Sequence, residues 1–298
     1  MRLFVKIAPV FIKKQSIMLR SKVLSLVARS GSIRLMSTGT KLTTVDVNDK
    51  TGIATLTMNR PPVNGLNLEL LQDLKSSIDE IEGNKSRGLI LTSSSSTIFS
   101  AGLDILEMYK ADKDRIRAFW TQLQETWLAL YGSSVPTAAA INGHSPAGGC
   151  LLATSCEYRV MVPKFTIGLN ETQLGIVAPK WFMASFLSVL PQREAERALN
   201  QGRMFTTEEA LKVGLIDETA TNKEEAIEKC TAFITTFAKV NPLARSLTKQ
   251  QFRAADLQQL ENERKDDLEK FLFFVNQPAV QKGLGIYLEG LKKKAKKQ

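Results

Sequence analysis

A short apolar strand, a turn and a helix alternate between residues 88 and 162, and this alternation limits the possible folds more than any other feature. The segments "GLILTSS" (88–94), "VPTAAAIN" (135–142) and "YRVMV" (158–162) have the length and apolar character of buried strands. A glycine turn precedes "GGCLLATSC" (148–156), which is typical of a buried helix. Strands buried on both faces and joined by helices form parallel sheets. The pattern therefore predicts an α/β protein with crossover helices.

The segments around this region extend the same plan. "TTVDVND" (43–49) and "GIATLTM" (52–58) are rich in β-branched residues on either side of a turn, which predicts a hairpin. Apolar residues recur at helical spacing through 67–83 and again through 115–131. We interpret the aromatic stripe of the second helix as core packing, because such stripes usually face other elements of the fold.

Beyond Pro179 the pattern becomes almost wholly helical. Thr206 and Glu209 form a capping box at the start of one helix, and Gly214 ends it. The last 60 or so residues suit a lid or a subunit interface. The predicted divisions of the chain are a leader (1–36), a core that carries the active site (37–235) and a C-terminal helical region (236–298).

The net charge of +10 is concentrated at the two ends of the chain. Residues 1–45 contain nine basic residues and no acidic one, which leaves 31 basic and 30 acidic residues in the remainder. Removing the five lysines of the tail "LKKKAKKQ" leaves 26 basic and 30 acidic residues in 46–291. A mildly acidic body argues against nucleic-acid binding. The leader, rich in Arg and Ser, predicts a mitochondrial transit peptide and a matrix location; a disordered basic tail is the alternative.

Cysteine and histidine usage and hydropathy exclude other classes. Three cysteines and one histidine, His144, cannot form a disulfide framework or a conventional zinc site. No apolar run approaches the ~18–20 residues that span a bilayer. We therefore expect a protein of a reducing compartment that has no membrane span and no metal.

Two glycine-containing turns could supply unpaired backbone N–H groups. "FSAGLDILEM" (99–108) is predicted to pass through Gly102 into a helix, so that the N–H of Leu103 could bind an oxyanion. "NGHSPAGGCLL" (142–152) leads into the next helix and exposes the N–H of Gly148. The alternatives are a glycine that only eases a turn and one that only permits close helix packing. His144 lies in the second turn, where a lone histidine is more often structural than catalytic.

Glu171 is the only charged residue of "GLNETQLGI" (168–176). An apolar setting raises the pKa of a carboxylate towards the value that a general base needs near neutral pH, although an exposed loop glutamate is the simpler reading. Glu171 and the two glycine-containing turns together would supply three functional groups. Two N–H donors and one desolvated carboxylate are the groups needed to remove a proton next to a thioester carbonyl and to stabilise the resulting enolate.

The blocks "FSAGLDILEM", "AAINGHSPAGGCLLATSCEYRV" and "FTIGLNETQLGI" resemble the signature blocks of the crotonase (enoyl-CoA hydratase/isomerase) superfamily, and "RPPVNGLNLELL" fits the same frame. The resemblance covers roughly residues 43–298 and is closest to the mitochondrial Δ3,Δ2-enoyl-CoA isomerases of fatty-acid oxidation. It implies a spiral of ββα turns with a C-terminal helical trimerisation region, an acyl-CoA substrate, a homotrimer and no separate cofactor.

The resemblance also implies roles for particular residues. Glu171 would be the catalytic base, and the backbone N–H groups of Leu103 and Gly148 would form the oxyanion hole. The residues expected to contact the substrate are Ala101, Gly102, Leu103, Asp104, Ile105, Gly148, Leu151 and Asn170.

Leu151 separates the possible activities within the superfamily. Enoyl-CoA hydratases carry a second glutamate three residues after the oxyanion glycine, and this chain has Leu151 there. A base without a carboxylate partner favours double-bond isomerisation over the addition of water. Hydratase, dienoyl-CoA isomerase or thioester hydrolase activity remains an alternative, as does an RNA-binding or a catalytically inactive homologue.

Overall fold

Parallel strands joined by helices form the centre of the protein, as the alternation in the sequence predicts. The computed structural model describes residues 41–295, so the predicted leader (1–36) and the last three residues lie outside the described part. The described strands are β1 (Thr43–Val47), β2 (Ile53–Met58), β3 (Gly88–Ser93), β4 (Thr137–Ile141), β5 (Ser145–Pro146), β6 (Tyr158–Met161), β7 (Thr166–Gly168), β8 (Phe205–Thr206) and β9 (Glu218–Thr219).

Helices occupy the connections and nearly all of the C-terminal part. The described α-helices are α1 (Leu68–Gly83), α2 (Lys113–Tyr131), α3 (Gly148–Ser155), α4 (Lys180–Leu187), α5 (Gln192–Gln201), α6 (Thr207–Val213), α7 (Lys223–Thr235), α8 (Pro242–Val275) and α9 (Pro278–Ala295). Single 3-10 turns are formed by Ile105–Glu107, Glu171–Leu174 and Thr236–Lys239.

Six strands make the main sheet in the order β1-β2-β3-β4-β6-β9. The β1–β2 hairpin is antiparallel, and each later pairing is parallel, with Leu89 opposite Thr137 in the β3–β4 pair. A smaller sheet has the order β5-β7-β8, in which β5 and β7 run parallel. Parallel neighbours place the carboxyl ends of β3 and β4 at the same edge, and the turns that follow them start there.

Both faces of the main sheet are covered, which explains the continuous apolar runs of its strands. Leu89 and Leu91 of β3 pack into the larger core with α1 and α2. Ile90, which points to the opposite face, packs with Ala138, Cys230 and Ile234 beneath α7. A strand buried on both faces has no polar side. Its sequence is therefore continuously apolar and does not alternate between apolar and polar residues.

Helix α8 joins the C-terminal region to α2. The rings of Trp120 and Phe271 stack with their centroids 3.6 Å apart and their planes inclined by 7°. Beside them the Asp267 carboxylate accepts hydrogen bonds from Trp120 Nε1 and Gln124 Nε2, each 2.7 Å long. This contact fixes the position of α8 over the core, although the predicted boundary between residues 235 and 236 stays a prediction.

One predicted element is wrong. The segment 99–108 does not enter an α-helix after Gly102, and Leu103 instead forms an isolated parallel bridge with Leu66. Only the 3-10 turn Ile105–Glu107 follows, capped by Asp104, whose carboxylate accepts from Leu106 N at 3.1 Å. The bridge to Leu66 orders the turn from outside the segment, which the local pattern could not reveal.

Other local predictions are confirmed. The capping box at Thr206 and Glu209 forms with both of its hydrogen bonds, and Gly214 ends α6 in the left-handed conformation. The stripe on α2 is buried, including Phe119, Leu123 and Trp127. No helix among residues 41–295 is long and apolar enough to cross a membrane.

Gly143 provides a test of the contact that brings the two glycine-containing turns together. A Cβ at Gly143 would lie 2.3 Å from Ile98 N and 2.4 Å from the Thr97 carbonyl carbon, so alanine must push two backbones apart. We expect Gly143→Ala to lower the free energy of unfolding by about 1–3 kcal/mol, measured by urea denaturation followed by circular dichroism.

The control is Gly83→Ala at the end of α1, where nothing lies within 4 Å of the new Cβ. This change should be neutral or stabilise by about 0.5–1 kcal/mol, because alanine loses less entropy in a helix than glycine. Equal effects of the two substitutions would contradict the proposed role of the close approach.

Candidate active site

A cavity of about 580 Å³ lies where the Gly102 turn, the start of α3 and the loop after β7 face the C-terminal helices. Its walls are largely apolar and aromatic, with Trp120, Trp181 and Phe271 among them. Glu171 is one of the few ionisable residues that line it. A largely apolar cavity with a small number of polar groups is the usual form of a small-molecule site.

The Gly102 turn is held from both sides by Leu66. Leu66 N donates to Gly102 O at 2.8 Å, and Asp104 N donates to Leu66 O at 3.0 Å. The N–H of Leu103, between these two bonds, donates to no group among the described residues. Arg60 pairs with Asp104 at 2.9 Å and fixes the far side of the turn.

Gly102 is required by both its conformation and its surroundings. Its φ of +84° lies in the left-handed region that glycine adopts without strain. A Cβ at this position would lie 2.9 Å from Ala147 Cβ and 3.1 Å from Gly148 N. The turn therefore packs directly against the start of α3.

The second turn is strained at Ala147. This residue has φ 49° and ψ −119°, an uncommon conformation for a residue with a side chain. Its N–H donates to Gly168 O at 2.8 Å, which ties the turn to the end of β7. Gly148 is the first residue of α3, and its N–H has no acceptor within the described part of the chain. The strained conformation of Ala147 thus coincides with an orientation of Gly148 in which its N–H has no partner among the described residues.

The structure brings the two unpaired donors close to one another. Leu103 and Gly148 belong to turns that touch, since a Cβ at Gly148 would lie 3.3 Å from Gly102 Cα and 3.3 Å from Leu103 Cδ2. Two free N–H groups on adjoining turns can bind one oxygen that carries developing negative charge.

Glu171 lies in the 3-10 turn after β7 and is buried, with 8% of its surface exposed. Neither of its carboxylate oxygens has a hydrogen-bond partner among the residues that the structure describes. Burial raises its pKa to about 7, because the charged form has lost its hydration and no cation replaces it. At neutral pH the carboxyl group can therefore both accept and release a proton.

The main chain around Glu171 is fixed by its own turn and by α5. Ile176 N donates to Glu171 O at 3.0 Å and closes the turn. Thr172 Oγ1 donates to Leu199 O at 3.0 Å, and Gln173 Nε2 donates to Gln201 O at 3.3 Å. The backbone is thus well anchored, while the carboxylate itself is left without partners.

The predicted site residues divide into two groups. Those that line the cavity are Ala101, Leu103, Ile105, Asn170 and Glu171. Those that do not line it are Gly102, Asp104, Gly148 and Leu151.

The second group lies behind the wall. Gly102 and Gly148 pack against each other, and Asp104 pairs with Arg60. Leu151 is fully buried in the core on α3, where its N–H donates to Ala147 O at 3.0 Å. Direct contact of these four residues with a substrate therefore stays a prediction.

The sequence interpretation missed the wall formed by α2, α4 and α8. Trp120 is adjacent to the predicted stripe on α2 and lines the cavity together with Trp181 and Phe271. Asp267 and Glu263 of α8 line it as well. The aromatic stripe on α2 could have indicated Trp120, which lies next to it in the sequence. No local pattern shows that α8 packs against the same cavity.

His144 has a structural role in the described part of the chain. Its Nδ1 accepts a hydrogen bond from Thr166 N at 3.2 Å and lies 3.0 Å from Thr166 Oγ1. These contacts join the second turn to β7. Residues 41–295 contain no group of three or more His, Cys, Asp or Glu side chains that could hold a metal ion.

Comparison with known proteins identifies the class to which this fold and cavity belong. Residues 48–298 match the enoyl-CoA hydratase/isomerase family, and the chain belongs to that family. It is 45% identical to the mitochondrial enoyl-CoA delta isomerase 1 of Mus musculus over 253 residues, covering 84% of this chain and 87% of that protein.

Solved structures confirm the α/β crotonase-like fold. The crystal structure of human mitochondrial delta3-delta2-enoyl-CoA isomerase matches with a TM-score of 0.82 and 40% identity, covering 85% of this chain and 99% of that one. An enoyl-CoA hydratase from Bacillus halodurans matches with a TM-score of 0.73 at 24% identity, covering 82% and 99%, and shows the fold alone.

The buried carboxyl group of Glu171 should make the stability of the protein depend on pH. Its pKa is raised from 4.5 to about 7, so between these values the native state binds more protons than the unfolded state. Stability therefore falls as pH rises through this range, by about 3 kcal/mol in total. We expect Glu171→Gln to stabilise the protein at pH 8 by up to this amount and to have little effect at pH 4.5.

Urea unfolding at the two pH values measures the difference. Glu224→Gln, which alters an exposed glutamate of α7, is the control and should change the unfolding free energy by less than about 0.5 kcal/mol at both. A gain from Glu171→Gln that is equal at pH 4.5 and pH 8 would show that ionisation of Glu171 does not cost stability.

Proposed function

We propose that this protein is a Δ3,Δ2-enoyl-CoA isomerase that acts in the mitochondrial matrix, in the β-oxidation of unsaturated fatty acids. It would convert 3-cis- and 3-trans-enoyl-CoA to 2-trans-enoyl-CoA. The observation that carries the proposal is Glu171, a buried carboxylate with no hydrogen-bond partner among the described residues, in a largely apolar cavity that Leu103 also lines. The Leu103 turn packs against Gly148, and the backbone N–H groups of both residues are unpaired within the described part of the chain. The identity to mitochondrial enoyl-CoA delta isomerases of mouse and human, 45% and 40%, supports both the reaction and the compartment.

The first step is removal of a proton from C2 of the acyl chain. C2 lies between the thioester carbonyl and the double bond, so the negative charge left there spreads onto the carbonyl oxygen. Glu171 accepts this proton in its ionised form. With a pKa of about 7, a substantial fraction of the enzyme is ionised at neutral pH, and the protonated form is still acidic enough to react onwards.

The enolate oxygen is stabilised by the N–H groups of Leu103 and Gly148. Both donors belong to the backbone of ordered turns, so they need no rearrangement as the charge develops. Removal of one comparable donor in other enzymes costs about 10²–10³ in kcat. The packing of Gly102 against Ala147 and Gly148 keeps the two turns in contact.

The second step returns the same proton to C4. The C2–C3 double bond forms as C4 takes the proton from the Glu171 carboxyl group, and the base is regenerated. No other group hydrogen-bonds to either oxygen of Glu171 within the described residues, so nothing competes for the proton. The reaction needs no separate cofactor, since coenzyme A enters as part of the substrate.

Hydration is the main alternative within the family. It requires a water molecule held between two acid/base groups, and Leu151 occupies the position of the second glutamate in hydratases. Asp267 and Glu263 also line the cavity, but the Asp267 carboxylate is engaged by Trp120 and Gln124, and Glu263 is exposed to solvent. These two hydrogen bonds favour a structural role for Asp267, and isomerisation by Glu171 alone remains the better fit.

A homotrimer is part of the proposal. Large apolar side chains are exposed on α8 and α9, including Leu243 at 68%, Phe273 at 75% and Ile286 at 61%. Exposed apolar surface of this kind supports a subunit interface. The mildly acidic body of the chain gives no support to nucleic-acid binding.

Glu171→Gln tests the mechanism directly. The amide cannot accept the C2 proton, so kcat for 3-hexenoyl-CoA should fall by about 10³-fold or more, measured by the ultraviolet absorbance of the conjugated product. Binding of hexanoyl-CoA, measured by calorimetry, should change little because the cavity keeps its shape. Glu224→Gln is the control and should retain activity; unchanged turnover of Glu171→Gln would refute the mechanism.

The ratio of two activities tests the assignment as an isomerase. We expect the unmodified protein to isomerise 3-hexenoyl-CoA at least about 10²-fold faster than it hydrates crotonyl-CoA, because the removal of one acid/base group typically costs about 10²–10⁴. Both rates are measured under identical conditions in kcat/KM. Faster hydration than isomerisation would favour the hydratase alternative.

A further inference from the structure

A second cavity, of about 560 Å³, lies apart from the Glu171 site and shares no lining residue with it. Its walls come from the N-terminal half of α8, the start of β6 and the 3-10 turn Thr236–Lys239. The reaction proposed above uses none of these residues.

Four cations and two carboxylates line this cavity: Arg159, Arg245, Lys249, Arg253, Glu157 and Asp217. Asp217 is engaged by Arg159 Nη2 at 2.7 Å. Glu157 is shared, since it accepts from Arg245 Nη2 at 2.5 and 2.6 Å and from Lys249 Nζ at 2.9 Å. One carboxylate therefore serves two cations.

Arg253 has no carboxylate partner in the part of the chain that the structure describes. Its Nη1 donates to two backbone oxygens, Tyr131 O at 2.7 Å and Ser155 O at 2.8 Å. Its guanidinium lies over the Tyr131 ring, 4.1 Å from the centroid. These contacts hold the side chain in place without neutralising it, so the lining carries an excess of two positive charges.

The excess charge is buried. Lys249 and Arg253 are each 8% exposed, and Arg245 Nε has no hydrogen-bond partner among residues 41–295. The pKa of Lys249 is lowered to about 8, chiefly by burial and in smaller part by the neighbouring Arg253 and Arg245, against the opposite effect of Glu157. Buried charge without an opposite charge is strongly unfavourable, so a bound anion would relieve this cost.

We propose that this second cavity binds a phosphate-type oxyanion through Arg245, Lys249 and Arg253. A dianion would balance the two excess charges, and guanidinium groups match the geometry of phosphate oxygens. The volume exceeds what a bare ion needs, and Phe237 and Phe252 lie in the wall. The cavity can therefore take either free phosphate or a phosphate monoester with an apolar group.

Thermal unfolding of the full-length protein tests the site. At constant ionic strength, replacing chloride by inorganic phosphate at tenfold excess over its dissociation constant should raise Tm by about 3–6 °C. Lys249→Gln should abolish most of this shift, because it removes one donor and one unit of charge. Lys265→Gln, which alters an exposed lysine of the same helix outside the cavity, should keep the full shift.

A second probe distinguishes the source of the phosphate group. If phenyl phosphate raises Tm more than inorganic phosphate at equal concentration, the site takes an organic phosphate; the reverse order supports the free ion. Arg253→Gln serves as an independent variant should Lys249→Gln unfold. A shift that is equal in all variants, or no larger with phosphate than with chloride, overturns the proposal.

Discussion

The close approach of two backbones at the carboxyl edge of the parallel sheet is the constraint on which the site depends. The turns after β3 and β4 start at the same edge and are pressed together where Gly143 meets Ile98 and where Gly149 meets Ser100 O, 2.6 Å from its potential Cβ. Any side chain at these positions would separate the turns. Their separation would also part the N–H groups of Leu103 and Gly148, since each belongs to one of the two turns.

The second requirement of the site is that the Glu171 carboxylate be shielded from water, and this shielding lowers the stability of the folded protein. The same burial that raises its pKa to about 7 makes its ionisation costly in the folded protein, since neither carboxylate oxygen has a hydrogen-bond partner among the described residues. The surrounding backbone compensates by anchoring the turn through Thr172 and Gln173 to the end of α5. The proposed catalytic group is thus carried by a well-anchored main chain, and the unfavourable ionisation is confined to one carboxyl group.

Local pattern predicted the elements of this fold well, and long-range contact explains where it did not. The strands β3, β4 and β6, the capping box at Thr206 and the isolation of Glu171 from charge are all visible in short stretches of sequence. The course of the chain after Gly102 is set by Leu66, 36 residues before it. The stacking of Trp120 on Phe271 joins residues that are far apart in the chain, so no window on the sequence contains it.

The local distribution of charge is a second feature that the sequence alone does not predict. Residues 46–291 carry slightly more acidic than basic residues, which argues against a polyanion partner for the surface as a whole. Yet the fold gathers Arg245, Lys249 and Arg253 from successive turns of α8 and places them against Arg159 of β6. Among residues 41–295, Glu157 is the one carboxylate that binds the first two, and Arg253 donates to backbone oxygens instead. The nearly balanced numbers of acidic and basic residues therefore do not reveal this buried local excess of positive charge. The excess arises from the fold and cannot be predicted from the composition.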